Sequence, residues 1–165
     1  MNNPNSMGNS NTNNMKITKI LTKRFGEIEA PEDKIISVKN GIIGFPEAIE
    51  YLFIEKDRND PFKWLQSVQH GDLAFVLLDP FIFFPGYQVN LTKELADDLE
   101  LDSVEQAIAL VIVIIPKDLR DITANLLAPV ILNPYKRLAK QIILLDTQYT
   151  TRHFLIPRKE ENKEK

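Results

Sequence analysis

Short apolar runs separated by Gly, Pro, Asn and Asp constrain the fold of this chain more than any other feature of its sequence. Their length and their content of β-branched and aromatic residues favour strands over helices. The runs span residues 17–21, 34–38, 51–54, 62–65, 73–78, 107–115, 122–132 and 140–145. Strands with turn residues between them predict a mainly β fold, a small antiparallel domain that is either a sandwich or barrel-like, and we favour the barrel.

Helical periodicity occurs in one segment, residues 90–101, where leucine recurs at every fourth position. These leucines are Leu91, Leu95 and Leu99. Asn90 or Thr92 is suited to cap the start of this helix. A second, shorter helix is predicted after Phe45, because Pro46 suits the first helical position. We therefore expect one or two short helices packed on the sheet.

Composition divides the chain into one domain and two tails. The segment 1–16 is half asparagine and almost free of apolar residues, so we expect a disordered Asn-rich tail. The segment 158–165 mixes both charge signs and is predicted to be a disordered charged tail. Residues 17–157 remain, which is enough for a single domain.

Several classes of protein are disfavoured by the composition. The absence of cysteine excludes disulfides and thiolate metal sites. The longest apolar run, 107–115, is far shorter than the roughly 20 residues of a membrane helix, and no signal sequence opens the chain. A net charge of -3 argues against direct nucleic-acid binding. These features predict a cytoplasmic protein with no membrane contact.

Motifs for catalysis are missing as well. His70 and His153 are far apart in sequence and lack the paired spacing of a metal site. The segment 41–44, GIIG, lacks the spacing of a phosphate loop and the Lys that follows one, and a tight turn explains it. We therefore predict that the chain is not an enzyme and has no cofactor or metal.

Acidic residues dominate the segment 93–105, in which Lys93 is the sole base. A solvated face of an amphipathic helix explains this pattern. The alternative is a surface that attracts a basic partner and speeds its association.

Aromatic residues crowd the segment 81–87, FIFFPGY. Burial in the core explains most of them. One or two exposed rings would instead form an apolar patch for a partner helix or peptide.

The segment 122–134, ITANLLAPVILNP, combines an apolar run with residues that central strands avoid. Pro129 has no backbone donor, so the strand is expected to lie at an edge or to be bulged there. Asn125, if buried, needs a hydrogen-bond partner. A docking rim and a bulge that closes the barrel explain these residues equally well.

Six motifs in order make the chain resemble the flagellar assembly factor family, FliW. They are TKRFG at 22–26 followed by EIEAPEDKII, GIIGFPE at 41–47, WLQS at 64–67, LAFVLLDP at 73–80, TANLLAPVILN at 123–133 and YTTRHFL at 149–155. The resemblance spans residues 22–155. The Asn-rich tail departs from the family pattern, as does Gly86, where many relatives are expected to have an acidic residue.

The resemblance implies a mostly β, barrel-like protein without catalytic activity. Family members bind flagellin in the cytoplasm and also bind the translational regulator CsrA, whose repression of flagellin synthesis they block. Flagellin would thereby control its own translation through linked binding. The helix-forming ends of flagellin suit a hydrophobic groove, and the candidates for it are Phe83, Phe84 and the rim near Asn125 and Leu126.

The second implied partner, CsrA, is an RNA-binding protein and suits an acidic surface. Asp97, Asp98 and Glu100 are the candidates for this contact. The alternative function is an RNA-binding β-barrel protein, which has the support of one small basic cluster, Lys136, Arg137 and Lys140.

Overall fold

The structure is a computed structural model, and it describes residues 15–145 and 147–158. The described part of the chain contains eleven strands and two short α-helices, α1 and α2. The strands are β1 Ile17–Thr22, β2 Gly26–Pro31, β3 Ile35–Lys39, β4 Glu50–Ile54, β5 Phe62–Ser67, β6 Ala74–Leu78, β7 Ile108–Ile114, β8 Thr123–Ala124, β9 Val130–Asn133, β10 Leu138–Gln141 and β11 His153–Phe154. The helices are α1 Pro80–Phe83 and α2 Lys93–Asp98.

Seven strands form a closed barrel, so the barrel prediction is confirmed. Their order is β7-β6-β5-β4-β3-β10-β9, and β9 pairs back to β7. All neighbours in the ring are antiparallel except β3 and β10, which pair in parallel. Closure removes the free edges that an open sheet of this size would leave.

β7 is the strand on which the barrel closes, because it has two partners on one of its sides. Its first half pairs with β9, with Leu110 opposite Val130, and its second half pairs with β8, with Val113 opposite Ala124. The N–H of Asn125 still bonds to the carbonyl of Ile112, at 2.8 Å. Residues 126–129 are therefore accommodated opposite Val111 alone. The chain forms a wide bulge there. A bulge at Pro129 was one of the two alternatives predicted from the sequence, the other being an edge strand.

Alternation along β7 places side chains on both faces of the sheet. Leu110 and Ile112 face the barrel interior, where the core includes Tyr51, Leu65 and Leu77. Val111 and Val113 face outward, into a second core that is closed by Tyr87, Leu126 and Leu155. Burial on both faces explains why residues 107–115 read as a continuous apolar run.

Six of the predicted strands agree with the structure to within two residues at each end, and the other two differ by more. The run 122–132 is divided into β8 and β9 by the bulge, because the register along β7 changes between them. The run 140–145 is a strand only to Gln141, where its pairing with β9 ends. β2 and β11 were not predicted from the sequence.

The predicted helix at 90–101 is confirmed in a shorter form, α2, and the side chain of Thr92 caps its start by accepting from the N–H of Leu95. The helix predicted after Phe45 is wrong. The chain makes a tight turn instead, closed by a hydrogen bond from Ala48 to the carbonyl of Phe45. A helix forms at Pro80–Phe83, where Asp79 is the cap.

The predicted tails fall largely outside the described residues. Residues 1–14 and 159–165 are not described, so these parts of the two predictions remain untested. Arg158, the first residue of the predicted charged tail, contacts the carboxylate of Asp121 and lies over the ring of Phe154, 4.0 Å from its centroid.

Candidate functional site

An apolar cleft opens at one end of the barrel, beside the bulge. Its volume is about 350 Å³. Strands β6 and β7, the turn after β3, the bulge and the residues after β10 contribute its walls. We call it the mouth cleft, and it is lined by Ile42, Ile43, Phe75, Ile112, Asn125, Leu127, Ala128, Gln141, Ile143 and Thr151.

Phe75 connects the mouth cleft to the barrel core. Its ring makes an edge contact with Phe45, with 5.5 Å between the centroids, and a tilted contact with buried Tyr51 at 6.1 Å. Phe45 itself is exposed, and so is Ile43, whose side chain is 57% accessible. The cleft thus has a half-buried aromatic base and an exposed apolar rim, which is the form that ligand and peptide sites take.

The bulge shapes the cleft wall at Leu127. Its carbonyl accepts a hydrogen bond from the N–H of Leu144 at 2.9 Å, and its own N–H donates to the carbonyl of Thr150 at 3.1 Å. The carbonyl of Pro129 accepts from Ile142 at 3.0 Å. Pro129 brings no donor that would need a partner, which makes it suitable for this position.

Two polar side chains in the cleft wall, Asn125 and Gln141, form hydrogen bonds with the backbone. The Oδ1 of Asn125 accepts from the N–H of Ala128 at 3.0 Å. Gln141 accepts from the N–H of Ile43 at 2.8 Å through Oε1 and donates to the carbonyl of Ala128 at 3.0 Å through Nε2. With these groups engaged, the cleft presents mainly apolar atoms to a partner.

Of the groove residues named from the sequence, Asn125 lines the mouth cleft, whereas Phe83, Phe84 and Leu126 lie outside it. Leu126 is 2% exposed and belongs to the outer core, so its side chain is absent from the cleft rim. Phe84 is half-buried beside His153, and exposed Phe83 ends α1. At the bulge, Leu127 lines the cleft and Leu126 packs into the outer core, so the two side chains lie on opposite faces of the sheet.

Each acidic residue proposed from the sequence for the CsrA contact lies near a lysine of the same chain. Asp98 accepts from Lys140 at 2.7 Å and lies 4.0 Å from Lys39. The hydrogen bond from Lys140 is the main cause that lowers the pKa of Asp98. Asp98 therefore ties α2 to the barrel.

The other two acidic candidates are exposed. Asp97 pairs with Lys93 at 2.9 Å, and Glu100 lies 3.9 Å from Lys136. Exposed pairs of this kind are weak and are readily exchanged for a partner's charge. Asp97 and Glu100 are thus more accessible to a basic partner than Asp98 is.

The basic cluster that supports the RNA-binding alternative is also engaged within the chain. Lys140 holds Asp98, Lys136 lies near Glu100, and Arg137 donates to the carbonyl of Glu32 at 2.6 Å. No observation here favours RNA as the ligand.

Two further properties of the described residues bear on other functions. No group of three or more His, Asp or Glu side chains in residues 15–145 and 147–158 is placed to hold a metal ion. Within the same ranges, no helix has the length and apolar character to cross a membrane.

Sequence reasoning missed most of the cleft. Ile43 was treated as part of a turn, and Ile143 as part of a strand. Nothing in the sequence marked Phe75 as a binding residue, since it lies within an ordinary strand pattern. The turn at 41–44 was the available clue, because two glycines around two isoleucines predict apolar side chains held on a tight turn.

Comparisons with known proteins agree with this fold. A family model described as FliW protein matches residues 19–155. The flagellar assembly factor FliW of Natranaerobius thermophilus is 44% identical over 136 residues, which cover 82% of this chain and 90% of that protein. The protein of the same name from Alkaliphilus metalliredigens is 38% identical over 138 residues, covering 83% and 85%. These relatives are named as assembly factors and not as enzymes.

A solved structure is similar as well. A crystal structure of the flagellar assembly factor FliW matches with a TM-score of 0.80 and 39% sequence identity. The match covers 86% of this chain and 99% of the other.

Proposed function

This chain belongs to the FliW family of flagellar assembly factors, and from that membership we propose that it binds flagellin in the cytoplasm and antagonises the translational regulator CsrA. Its action is binding without catalysis. Flagellin and CsrA draw on the same pool of protein, so a rise in free flagellin leaves less of it to restrain CsrA.

The mouth cleft is the observation that carries this proposal. An amphipathic helix binds by laying its apolar face into a groove, and the helix-forming ends of flagellin have that character. The cleft supplies an apolar base at Phe75 and an exposed apolar rim at Ile43 and Ile143. We therefore assign the flagellin contact to this cleft, in place of the surface around Phe83 and Phe84.

The acidic side of α2 supports the contact with CsrA. Asp97 and Glu100 are exposed there, and their lysine partners are weakly bound. A negative surface speeds the association of a basic protein and makes its rate depend on salt.

Matched isoleucine variants test the cleft. Ile43 in the cleft rim and Ile82 in α1 are 57% and 59% exposed, so a glutamate costs each site a similar amount of folding stability. Ile43→Glu should weaken flagellin binding by about a hundredfold, since it places a charge in an apolar contact, whereas Ile82→Glu should leave it unchanged. Isothermal titration calorimetry with purified flagellin measures both.

If Ile82→Glu alone weakens flagellin binding, the flagellin contact lies at α1 and not at the mouth cleft. If the unaltered protein binds neither flagellin nor CsrA, the proposed function itself is rejected.

A charge reversal tests the second contact. Asp97→Lys should slow association with CsrA at low salt by about tenfold and leave flagellin binding intact. Glu29→Lys is the control, because Glu29 is exposed on the separate hairpin of β1 and β2. Stopped-flow mixing at several salt concentrations gives the rates, and equal rates for the two variants would reject the assignment to α2.

A further inference from the structure

Past its last pairing with β3, the β10 chain continues as an extended segment with one open side. The parallel pairing ends at Lys140 opposite Lys39. The segment that follows β3 then turns away from β10 at Asn40 and Gly41, which both have positive φ. The backbone pairing with β3 does not reach residues 141–145, although the side chain of Gln141 still accepts from the N–H of Ile43. We call residues 141–145 the open edge.

The other side of the open edge remains bonded to the bulge. The N–H of Ile142 donates to Pro129 at 3.0 Å, and that of Leu144 donates to Leu127 at 2.9 Å. Because backbone groups alternate in an extended chain, the N–H groups of Ile143 and Leu145 point the opposite way. In the part of the chain that the structure describes, neither donates a hydrogen bond and the carbonyl of Ile143 accepts none.

Protective features are missing from this edge. Proteins usually guard an unpaired edge with charged residues or proline, since it otherwise serves as a template for another strand. Residues 141–145, QIILL, include neither. The side chains of Ile143 and Leu145 are 58% and 82% exposed.

A groove of about 490 Å³ runs beside the open edge, between it and residues 88–94. Leu95, Ile142 and Leu144 form the less exposed, apolar part of its lining, and Asn90 and Thr92 are exposed polar members. Ile143 lines both this groove and the mouth cleft. A strand added here would place alternate side chains toward the groove and toward the cleft.

We propose that the open edge binds an extended segment of a partner protein, which adds to β10 as a further strand. The unpaired backbone groups require an extended chain, and the two apolar surfaces require apolar side chains at alternate positions. Glu94 and Lys140 line the groove, and Lys140 is paired with Asp98. Glu94 forms no ion pair with any described residue, so the segment carries a basic side chain near it. This site does not depend on the proposed function, which uses a helix in the mouth cleft.

A second copy of the chain fits this edge less well than a single segment does. Residues 88–94 form a wall along the groove, opposite the edge. A folded copy would have to bring its own strand into the same space.

The test uses a short synthetic peptide of alternating valine and threonine with lysine at both ends. Amide hydrogen exchange is measured by NMR on the full chain, with and without the peptide. We expect the N–H groups of Ile143 and Leu145 to exchange at least about tenfold more slowly with peptide, because each gains a hydrogen bond. The amides of Ile142 and Leu144, already bonded, should change little.

Variants at Ile143 supply the control. Ile143→Pro removes the outward N–H at an edge position, where proline is tolerated, and should abolish peptide binding. Ile143→Val keeps the N–H and should bind as the unaltered protein does. If the proline variant does not fold, the exchange measurement on the unaltered protein still decides.

Unchanged exchange at Ile143 and Leu145 under millimolar peptide would overturn the proposal. Protection that rises with protein concentration in the absence of peptide would also overturn it, in favour of a second copy. Neither result affects the Ile43→Glu test of the mouth cleft, so the two proposals fail separately.

Discussion

The hydroxyl of Tyr87 donates a 2.8 Å hydrogen bond to the carbonyl of Leu126, in the middle of the bulge. Tyr87 is buried, and its ring lies 4.7 Å from that of Tyr149. The bond joins the aromatic segment after α1 to the outer side of the bulge. Gln141 and Ile142 hold the bulge from the cleft side. The shape of the mouth cleft therefore depends on residues on both sides of the bulge.

Removing this hydroxyl should destabilise the protein. Tyr87→Phe leaves the buried carbonyl of Leu126 without that donor and should lower the free energy of unfolding by about 1–3 kcal/mol. Tyr51→Phe is the matched control, because the hydroxyl of Tyr51 is buried and has no partner among the described residues. It should cost little or stabilise the protein. Urea denaturation measures both, and equal losses would contradict the role of the bond.

Alkaline pH should destabilise the protein through the same two tyrosines. Burial raises the pKa of Tyr51 to about 12 from its ordinary value of 10.0, and the pKa of Tyr87 is raised further by burial and by the charge of Tyr149. The unfolded chain loses these protons first, so stability is full below pH 10.0 and falls as pH rises toward 12. Tyr51→Phe should flatten this decline in urea melts across that range. A decline of the same steepness in the variant would exclude Tyr51 as a source.

Local pattern predicted the strands and the main helix, and it failed where pairing is set by distant residues. β2 reads GEIEAP, a short alternation in which the outward positions are glutamates, so its inward Ile28 and Ala30 did not stand out. The parallel pairing of β3 with β10 joins segments about a hundred residues apart, and no local signal encodes it.

The mouth cleft was hard to predict for the same reason. Ile43 and Gln141 meet through a hydrogen bond between residues 98 positions apart. A bulge was one of the two alternatives predicted from Pro129, but which of Leu126 and Leu127 faces the cleft depends on the register along β7. A shift of one residue exchanges the two faces of a strand, and sequence alone did not fix that register.

Asn133 should prove essential for the position of α2. Its Nδ2 donates to the carbonyls of Leu99 and Glu100 at 2.8 and 3.1 Å, and its Oδ1 accepts from Tyr135 at 3.1 Å. Asn133→Asp replaces the donor with a carboxylate oxygen that faces two carbonyls. We expect a loss of about 3 kcal/mol or more in unfolding free energy, measured by urea denaturation at neutral pH. Asn90→Asp, at an exposed position, should cost far less, and a similar loss in both would reject the argument.

Gly41 should resist substitution because of the turn that ends β3. Its φ is +66°, and a Cβ there would overlap the carbonyl of Phe45 and approach the Cα of Pro46 at 2.9 Å. Gly41→Ala should therefore cost about 2 kcal/mol or more and disturb the cleft rim at Ile43. Gly86→Ala is the control, since nothing lies within 4 Å of a Cβ at that position. Thermal melts compare the two, and a tolerated Gly41→Ala would show that the turn can shift.

Asn125 should link the shape of the bulge to binding in the mouth cleft. Its Oδ1 fixes the N–H of Ala128 at 3.0 Å, and Leu127 between them faces the cleft. Asn125→Ala removes the acceptor and should cost about 1 kcal/mol of stability, as the loss of a comparable cap does in helices. Because Leu127 is then less firmly positioned, flagellin affinity should fall about tenfold. Asn125→Asp keeps an acceptor oxygen at the same place and should retain most of the stability in urea denaturation, whereas its charge in the apolar cleft should weaken flagellin binding in calorimetry. Unchanged flagellin affinity in Asn125→Ala, despite its loss of stability, would show that the bulge does not position Leu127 for the partner.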